Sequence, residues 1–123
     1  MVAVALLTSP VLLAHHGTAG TYDRTKLVKV EGVVKEFRWR NPHSTLVLTG
    51  KDSAGNDVIY AFEMQGPGGL AKRGWTNQTF KPGDKITLDM RPAYGNPYVG
   101  QPVSKTITIN GVQVTGVEER ETE

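Results

Sequence analysis

Three histidines, His15, His16 and His43, give the chain its clearest capacity to ligate a metal. His15 and His16 follow an uncharged apolar run, Val2 to Leu13, and the small residue Ala14, a position that signal peptidase could accept. A cut after Ala14 makes His15 the new N-terminus. Its free amine, with an ordinary pKa of ~8, then joins its own imidazole in a chelate ring on a metal, which an internal pair has no amine to form. The rival cut follows Ala19, because Gly17 and Ala19 are both small whereas Leu12 is bulky three residues before the other cut. That cut discards both histidines. The structural alternative for the pair is a solvated stub at a chain end.

His43 is the natural third nitrogen ligand. It follows Pro42 in a restrained turn, and turns on a rigid sheet are common places for sites. Its structural alternative is a turn residue whose ring caps backbone groups. Tyr22, Asp23 and Glu63 are the candidate oxygen ligands, each with a plain structural role beside it: packed aromatic, turn residue ahead of the first strand, exposed strand position. An amine, two or three imidazoles and one oxygen suit Cu(II), with Ni(II) or Zn(II) as alternatives. The ligand type is that of copper carriers and oxidative enzymes with a histidine brace, an analogy that names no oxidisable substrate. Cysteine is absent, which excludes thiolate sites and disulfides.

Apolar alternation gives the strands that carry these residues. Lys26 to Arg40 forms a long first strand, with a bulge expected at Gly32, where the apolar parity changes. Asn41-Pro42 ends it. Ser44 to Lys51 is the second strand, Ser53 to Asp57 a hairpin turn, and Val58 to Met64 a third strand alternating Val58, Tyr60, Phe62 and Met64 against Ile59, Ala61 and Glu63. Gly66-Pro67-Gly68-Gly69 stops that strand, and Leu70 to Trp75 is the one short helical turn. Lys81-Pro82-Gly83-Asp84 turns into a fourth strand marked by Ile86, Leu88 and Met90. Arg91 to Pro102, rich in proline and glycine and carrying Tyr94 and Tyr98, is expected as a loop. A fifth strand follows, marked by Val103, Ile107 and Ile109, and Asn110-Gly111 makes a tight turn into Val112 to Val117.

Three strands, a short helix, then two strands is the element order of an OB-like five-stranded Greek-key barrel, an all-β fold with one short helix. An open β-sandwich satisfies the same alternation. The expected organisation is a signal peptide at 1–14, a single barrel domain at 15–117 and a flexible tail at 118–123. About 105 residues without the leader suffice for one core and not two. The leader is too short to span a bilayer, which needs about 20 apolar residues, so a membrane is met only if it stays uncleaved. The chain is therefore expected in the periplasm or secreted. The net charge of +2 is scattered, which argues against nucleic-acid binding.

Five stretches carry a family resemblance: Ala14-His15-His16, Trp39-Arg40-Asn41-Pro42-His43, Ala61-Phe62-Glu63, Leu70-Ala71-Lys72-Arg73-Gly74-Trp75 and Lys81-Pro82-Gly83-Asp84. Together they resemble a family of small exported bacterial proteins of unknown function, over nearly all of the mature chain. The resemblance implies export, a single β domain and a mature chain that begins at the histidines, but no established activity. Family members usually have Ser after the His pair, where this chain has Gly17.

The remaining constellations are thinner. Trp39, Tyr60, Phe62, Trp75 and Phe80 could line a ligand-binding face, or build the core. Lys72-Arg73 beside Trp75 could clamp an anion, or sit as a solvated helix end. Trp39, Glu63, Arg73 and Trp75 are thus the candidates for a ligand face. Catalytic residues are not indicated: Ser44 adjoins His43 without an Asp partner, and Gly66 to Gly69 lacks the Lys-Ser/Thr ending of a phosphate loop. The leading expectation is an exported, non-enzymatic domain holding copper(II) through His15, His16 and His43. Its rival is a metal-free module recognising a small ligand or an exported protein, and an oxidative copper enzyme is the third class.

Overall fold

The computed structural model describes residues 21–114. The expected signal peptide at 1–14, His15 and His16, and the expected tail at 118–123 lie outside the described residues. The elements are β1 (Val28–Arg38), β2 (Thr45–Lys51), β3 (Asp57–Glu63), α1 (Pro67–Ala71), β4 (Lys85–Ala93), β5 (Asn96–Pro102), a 3₁₀ turn (Ser104–Thr106), β6 (Thr108–Ile109) and β7 (Val112–Gln113). The sheet runs β1-β2-β3-β5-β4, and β4 pairs with β1 to close it. β3 and β5 are parallel and the other pairings are antiparallel. A closed barrel of five strands with one short helix between β3 and β4 is the OB-like architecture expected from the element order.

Alternation makes the barrel. Val30 and Val34 of β1, Leu46 and Leu48 of β2, Tyr60 and Phe62 of β3, and Ile86, Leu88 and Met90 of β4 point inward and are buried in one core cluster. Their partners in register confirm the layers: Leu48 faces Val34 and Tyr60, and Leu88 faces Val30. A Phe buried as completely as Phe62 contributes ~3–5 kcal/mol, judged by the usual cost of its truncation to Ala.

The bulge of β1 is at Lys35, between Val34 and Glu36, and not at Gly32. Gly32 is a regular position paired to both Gly50 and Ile86, where β1 passes from one neighbour to the other. Its absent side chain serves close approach: a Cβ there would stand 2.7 Å from the Thr49 carbonyl oxygen and 3.1 Å from Leu48 Cβ.

The expected loop from Arg91 to Pro102 is instead the end of β4 and all of β5, joined by a turn with Gly95 at φ 79°. Proline cannot donate to a ladder, but here Pro97 and Pro102 sit toward the ends of β5, and Pro92 sits at a register shift. Gly100 lets β4 and β5 meet, since a Cβ there would collide with Met90 and stand 2.6 Å from the Arg91 carbonyl oxygen. The stretch expected as the fifth strand, from Val103, becomes the 3₁₀ turn and the short β6-β7 hairpin. The Asn110-Gly111 turn is as expected, with φ 51° and 84°. The helix begins at Pro67, earlier than Leu70, because Pro suits a first helical position. Gly74, at φ 83°, ends the helical region: its N–H donates to Ala71 O and that of Trp75 to Leu70 O, a Schellman closure.

Candidate functional site

The Asn41-Pro42-His43 turn links β1 to β2 and is held against the segment after β3. Ser44 N–H donates to Gln65 O at 3.1 Å, and Met64 N–H donates to Ser44 O at 2.8 Å. Gly66 makes room for the turn, since a Cβ there would stand 2.7 Å from the Pro42 carbonyl oxygen. This fixation aims the His43 ring at the end of β3. Its Nδ1 lies 3.3 Å from Met64 O, and its Nε2 lies 3.4 Å from Glu63 Oε1.

Glu63 is the last residue of β3 and has the outward parity that sequence alternation gave it. Its Oε2 accepts the Tyr22 hydroxyl at 2.9 Å. Tyr22 belongs to a strap ahead of β1 that bridges to Ala93, with Asp23 N–H donating to Pro92 O at 2.8 Å and Tyr94 N–H to Thr21 O at 3.1 Å. Tyr22 is 3 % exposed. Burial, then the Glu63 hydrogen bond and charge, push its phenol well above the usual tyrosine range, so it is a neutral donor at ordinary pH. Tyr22, Glu63 and His43 thus form a connected chain of polar atoms, drawn from three separate parts of the sequence.

Both ring nitrogens of His43 face acceptor atoms, a carbonyl at Nδ1 and a carboxylate at Nε2. A neutral imidazole has one N–H for two such positions. If Nδ1 donates to Met64 O, the lone pair of Nε2 meets the Glu63 carboxylate, an arrangement satisfied by a cation shared between them. A backbone carbonyl on the far ring nitrogen is also the usual orienting partner of a metal-bound histidine. Among the described residues, no group of three or more His, Cys, Asp or Glu side chains gathers to hold a metal. His43 and Glu63 form a pair and not a larger cluster among the described residues.

Asp23 does not join this pair. Its carboxylate takes the Thr25 hydroxyl at 2.6 Å and the Thr25 N–H at 3.0 Å, with Lys26 at 3.8 Å, and these bonds hold its pKa below the usual range. It has the turn role. Trp39, half-buried, stands edge-on to Phe37 at 5.8 Å, and Trp75 stands edge-on to Phe80 at 5.4 Å. Trp75 is a core side chain and not part of an open face; its Nε1 has no hydrogen-bond partner among the described residues. Arg73 is half-buried in the turn after α1, with its backbone N–H bonded to Leu70 O. Ser44 is fully buried, and its hydroxyl bonds neither His43 nor any other described residue.

Tyr22 and Glu63 are oxygen candidates by residue type, but their contact is not readable from the sequence, because nothing local links residues 41 positions apart. A separate concavity of about 1420 Å³ lies between the first half of β1 and the β4-β5 hairpin, with Tyr60, Tyr94 and Tyr98 in its wall. None of His43, Glu63, Trp39, Arg73 and Trp75 lines it. Among the described residues no helix is long and apolar enough to cross a membrane.

A family model described as a family of unknown function (DUF6152) matches residues 3–100. This agrees with the motif resemblance at the level of an uncharacterised family. No curated protein and no solved structure matches the chain.

Proposed function

The chain belongs to the family of unknown function DUF6152, and for this member we propose a non-enzymatic, exported domain that binds a divalent transition metal, copper(II) by preference. In this reading the mature N-terminal His15 and His16 supply an amine and imidazoles, His43 supplies Nε2 and Glu63 a carboxylate oxygen. The observation that carries it is the Tyr22-Glu63-His43 chain. It fixes an imidazole nitrogen and a carboxylate oxygen 3.4 Å apart, and it ties them to the strap that follows the histidine pair in sequence. His16 is six residues before Tyr22, and six extended residues reach up to about 20 Å, enough to return to His43. Nitrogen donors in excess over oxygen favour Cu(II) by ligand type and by the general order of divalent affinities.

The test begins with the native intact mass of the protein exported by its host, followed by a competitive Cu(II) titration. A chain starting at His15 should carry copper, and one extra residue ahead of His15 should weaken binding by removing the amine-imidazole chelate. A chain starting at Gly20, or an affinity indifferent to the added residue, overturns the reading. The concavity beside Tyr94 and Tyr98 supports the alternative, a metal-free module for a small ligand or exported protein, and such a module is insensitive to the N-terminal addition.

A further inference from the structure

The concavity of about 1420 Å³ is built apart from the Tyr22-Glu63-His43 chain, since none of those three residues lines it. Three parts of the barrel form its walls: the first half of β1, the β2-β3 hairpin at Lys51 to Ser53, and the β4-β5 hairpin from Tyr94 to Tyr98. Gly32 and Gly50 also line it, face each other in register and put no side chain into it. Its volume exceeds the ~300–1,000 Å³ usual for a single small molecule, which suits a ligand of several linked units.

Its aromatic rings are held in place. Tyr98 stands edge-on to Tyr60 at 5.9 Å. The Tyr98 hydroxyl bonds Asp52, the Tyr98 N–H donates to Asn96 Oδ1 at 3.0 Å, and the Tyr60 hydroxyl donates to Lys51 O at 3.2 Å. Tyr94 is 60 % exposed, and Val28 and Val33 are exposed on the same lining. Exposed apolar side chains gathered in one hollow mark a binding site more than scattered ones do. A pyranose ring has an apolar C–H face and a polar edge, so its face stacks on a phenol ring while its hydroxyls stay free to hydrogen-bond. Thr49, Ser53 and Asn96 put hydroxyl and amide groups on the same lining.

Charge narrows the ligand further. Lys26, Lys29, Lys51 and Lys85 line the concavity, against Asp23, Glu31 and Asp52. Two of those carboxylates are engaged within their own turns. Asp23 accepts from Thr25 and pairs with Lys26, and Asp52 accepts the Ala54 and Asn56 N–H groups at 2.9 Å, bonds that hold both below the usual carboxylate range. Lys51 is paired with Asp57. Lys29 stands opposite Asp89 in register and Lys85 opposite Val33, and neither ammonium is within ion-pair distance of a described carboxylate. Against these two free ammonium groups the lining sets Glu31, so the balance favours an anion. We propose that the concavity binds an acidic oligosaccharide, its pyranose rings on Tyr94 and Tyr98 and its carboxylates at Lys29 and Lys85. The site is independent of the metal reading, because His43 and Glu63 take no part in it.

The test is a titration of the full chain with tetragalacturonate and tetramannuronate, and with maltotetraose as the neutral counterpart of equal length, followed by backbone amide shifts and calorimetry. At least one of the two acids should saturate, moving the amides of Lys29, Lys85, Gly95 and Asn96 and leaving that of His43 in place. Maltotetraose should bind about tenfold more weakly or worse. Tyr94→Ala alters an exposed side chain and should lower the affinity for the acid about tenfold, the scale of one lost aromatic contact. Lys29→Gln with Lys85→Gln, both exposed, should lower it as well and flatten its dependence on salt, because the screened attraction is gone. His43→Ala should bind the acid as the parent does, which keeps this site and the metal site separately testable. Equal binding of neutral and acidic chains would overturn the assignment of charge. Absence of saturable shifts with both acids, or parent-like affinity in Tyr94→Ala, would overturn the site itself.

Discussion

The Tyr22 hydroxyl donates to Glu63 Oε2 at 2.9 Å, joining the strap ahead of β1 to the last residue of β3. The bond leaves Oε1 of the same carboxylate facing His43, 3.4 Å from Nε2. A glutamate at a strand end would otherwise rotate freely in solvent. Here a buried phenol fixes it, so the position of the carboxylate beside the imidazole depends on a residue that touches neither ring nitrogen.

Tyr22→Phe removes that anchor while keeping the buried ring. The loss of one hydrogen bond to a half-exposed carboxylate should cost about 1 kcal/mol, and Tm should fall by roughly 4–8 °C for a domain of this size. Under the metal reading, Cu(II) affinity should fall by roughly 10- to 100-fold, the usual effect of losing an outer orienting partner. Calorimetry and a competitive titration of the same sample separate the two effects. An unchanged affinity alongside a lowered Tm would confine Tyr22 to a structural role.

His43→Ala probes the ligand itself. The side chain is 56 % exposed and its contact with Met64 O is long, so stability should change by less than about 1 kcal/mol. Cu(II) affinity should drop further than in Tyr22→Phe, because a donor atom is lost and not merely its support. Equal affinities in His43→Ala and the parent chain would remove His43 from the site and turn attention to the concavity beside Tyr94.

The fold was legible where side chains report directly on the sheet. Val30, Ile86 and Leu88 alternate with polar neighbours and their inward assignment follows from period two, whereas in β2 Val47 is buried along with Leu46 and Leu48, so alternation alone does not set its faces. β5 was not legible, because Gly100 and its prolines carry little alternation; its place is set by β3 and β4, between which it fits. The bulge misled for a related reason. Gly32 signals close approach to Thr49 and Leu48, whereas Lys35, the residue that is left over, has a side chain free to point to solvent and leaves no mark in the sequence. At the site, the Glu63–His43 contact comes from the β2-β3 register, which pairs Thr45 with Glu63, whereas the bond from Tyr22 to Glu63 comes from the strap lying beside β4, which no local pattern reports.

Gly100→Ala tests the close contact of β4 and β5. The added methyl would meet Met90, a flexible side chain, and the Arg91 carbonyl, which is fixed backbone, so displacement of Met90 alone cannot relieve it. Overpacking of this kind costs ~1–3 kcal/mol. Denaturant unfolding should show a lowered midpoint with little change in slope. Gly68→Ala, in α1 with open space around its Cβ, should instead be neutral or slightly stabilising. A Gly100→Ala variant as stable as the parent would mean that the backbone there yields easily.

Stability at alkaline pH takes its sign from the raised pKa of Tyr22. The phenol is held neutral in the fold by burial first and by the neighbouring Glu63 second, whereas in the unfolded chain it ionises near ~10. Below that pH both states bind the proton, and the stabilisation is fully present. Above it the unfolded state releases the proton while the folded state retains it, so stability declines as pH rises toward the folded-state value. Tyr60 adds a decline of the same sign, its pKa raised by burial and then by the charge of Asp52. Denaturant midpoints measured from pH 8 to 11 should therefore fall in the parent chain and fall less steeply in Tyr22→Phe. Parallel declines in the two proteins would show that the Tyr22 phenol ionises as readily in the fold as outside it, and that the hydrogen bond to Glu63 does not hold its proton.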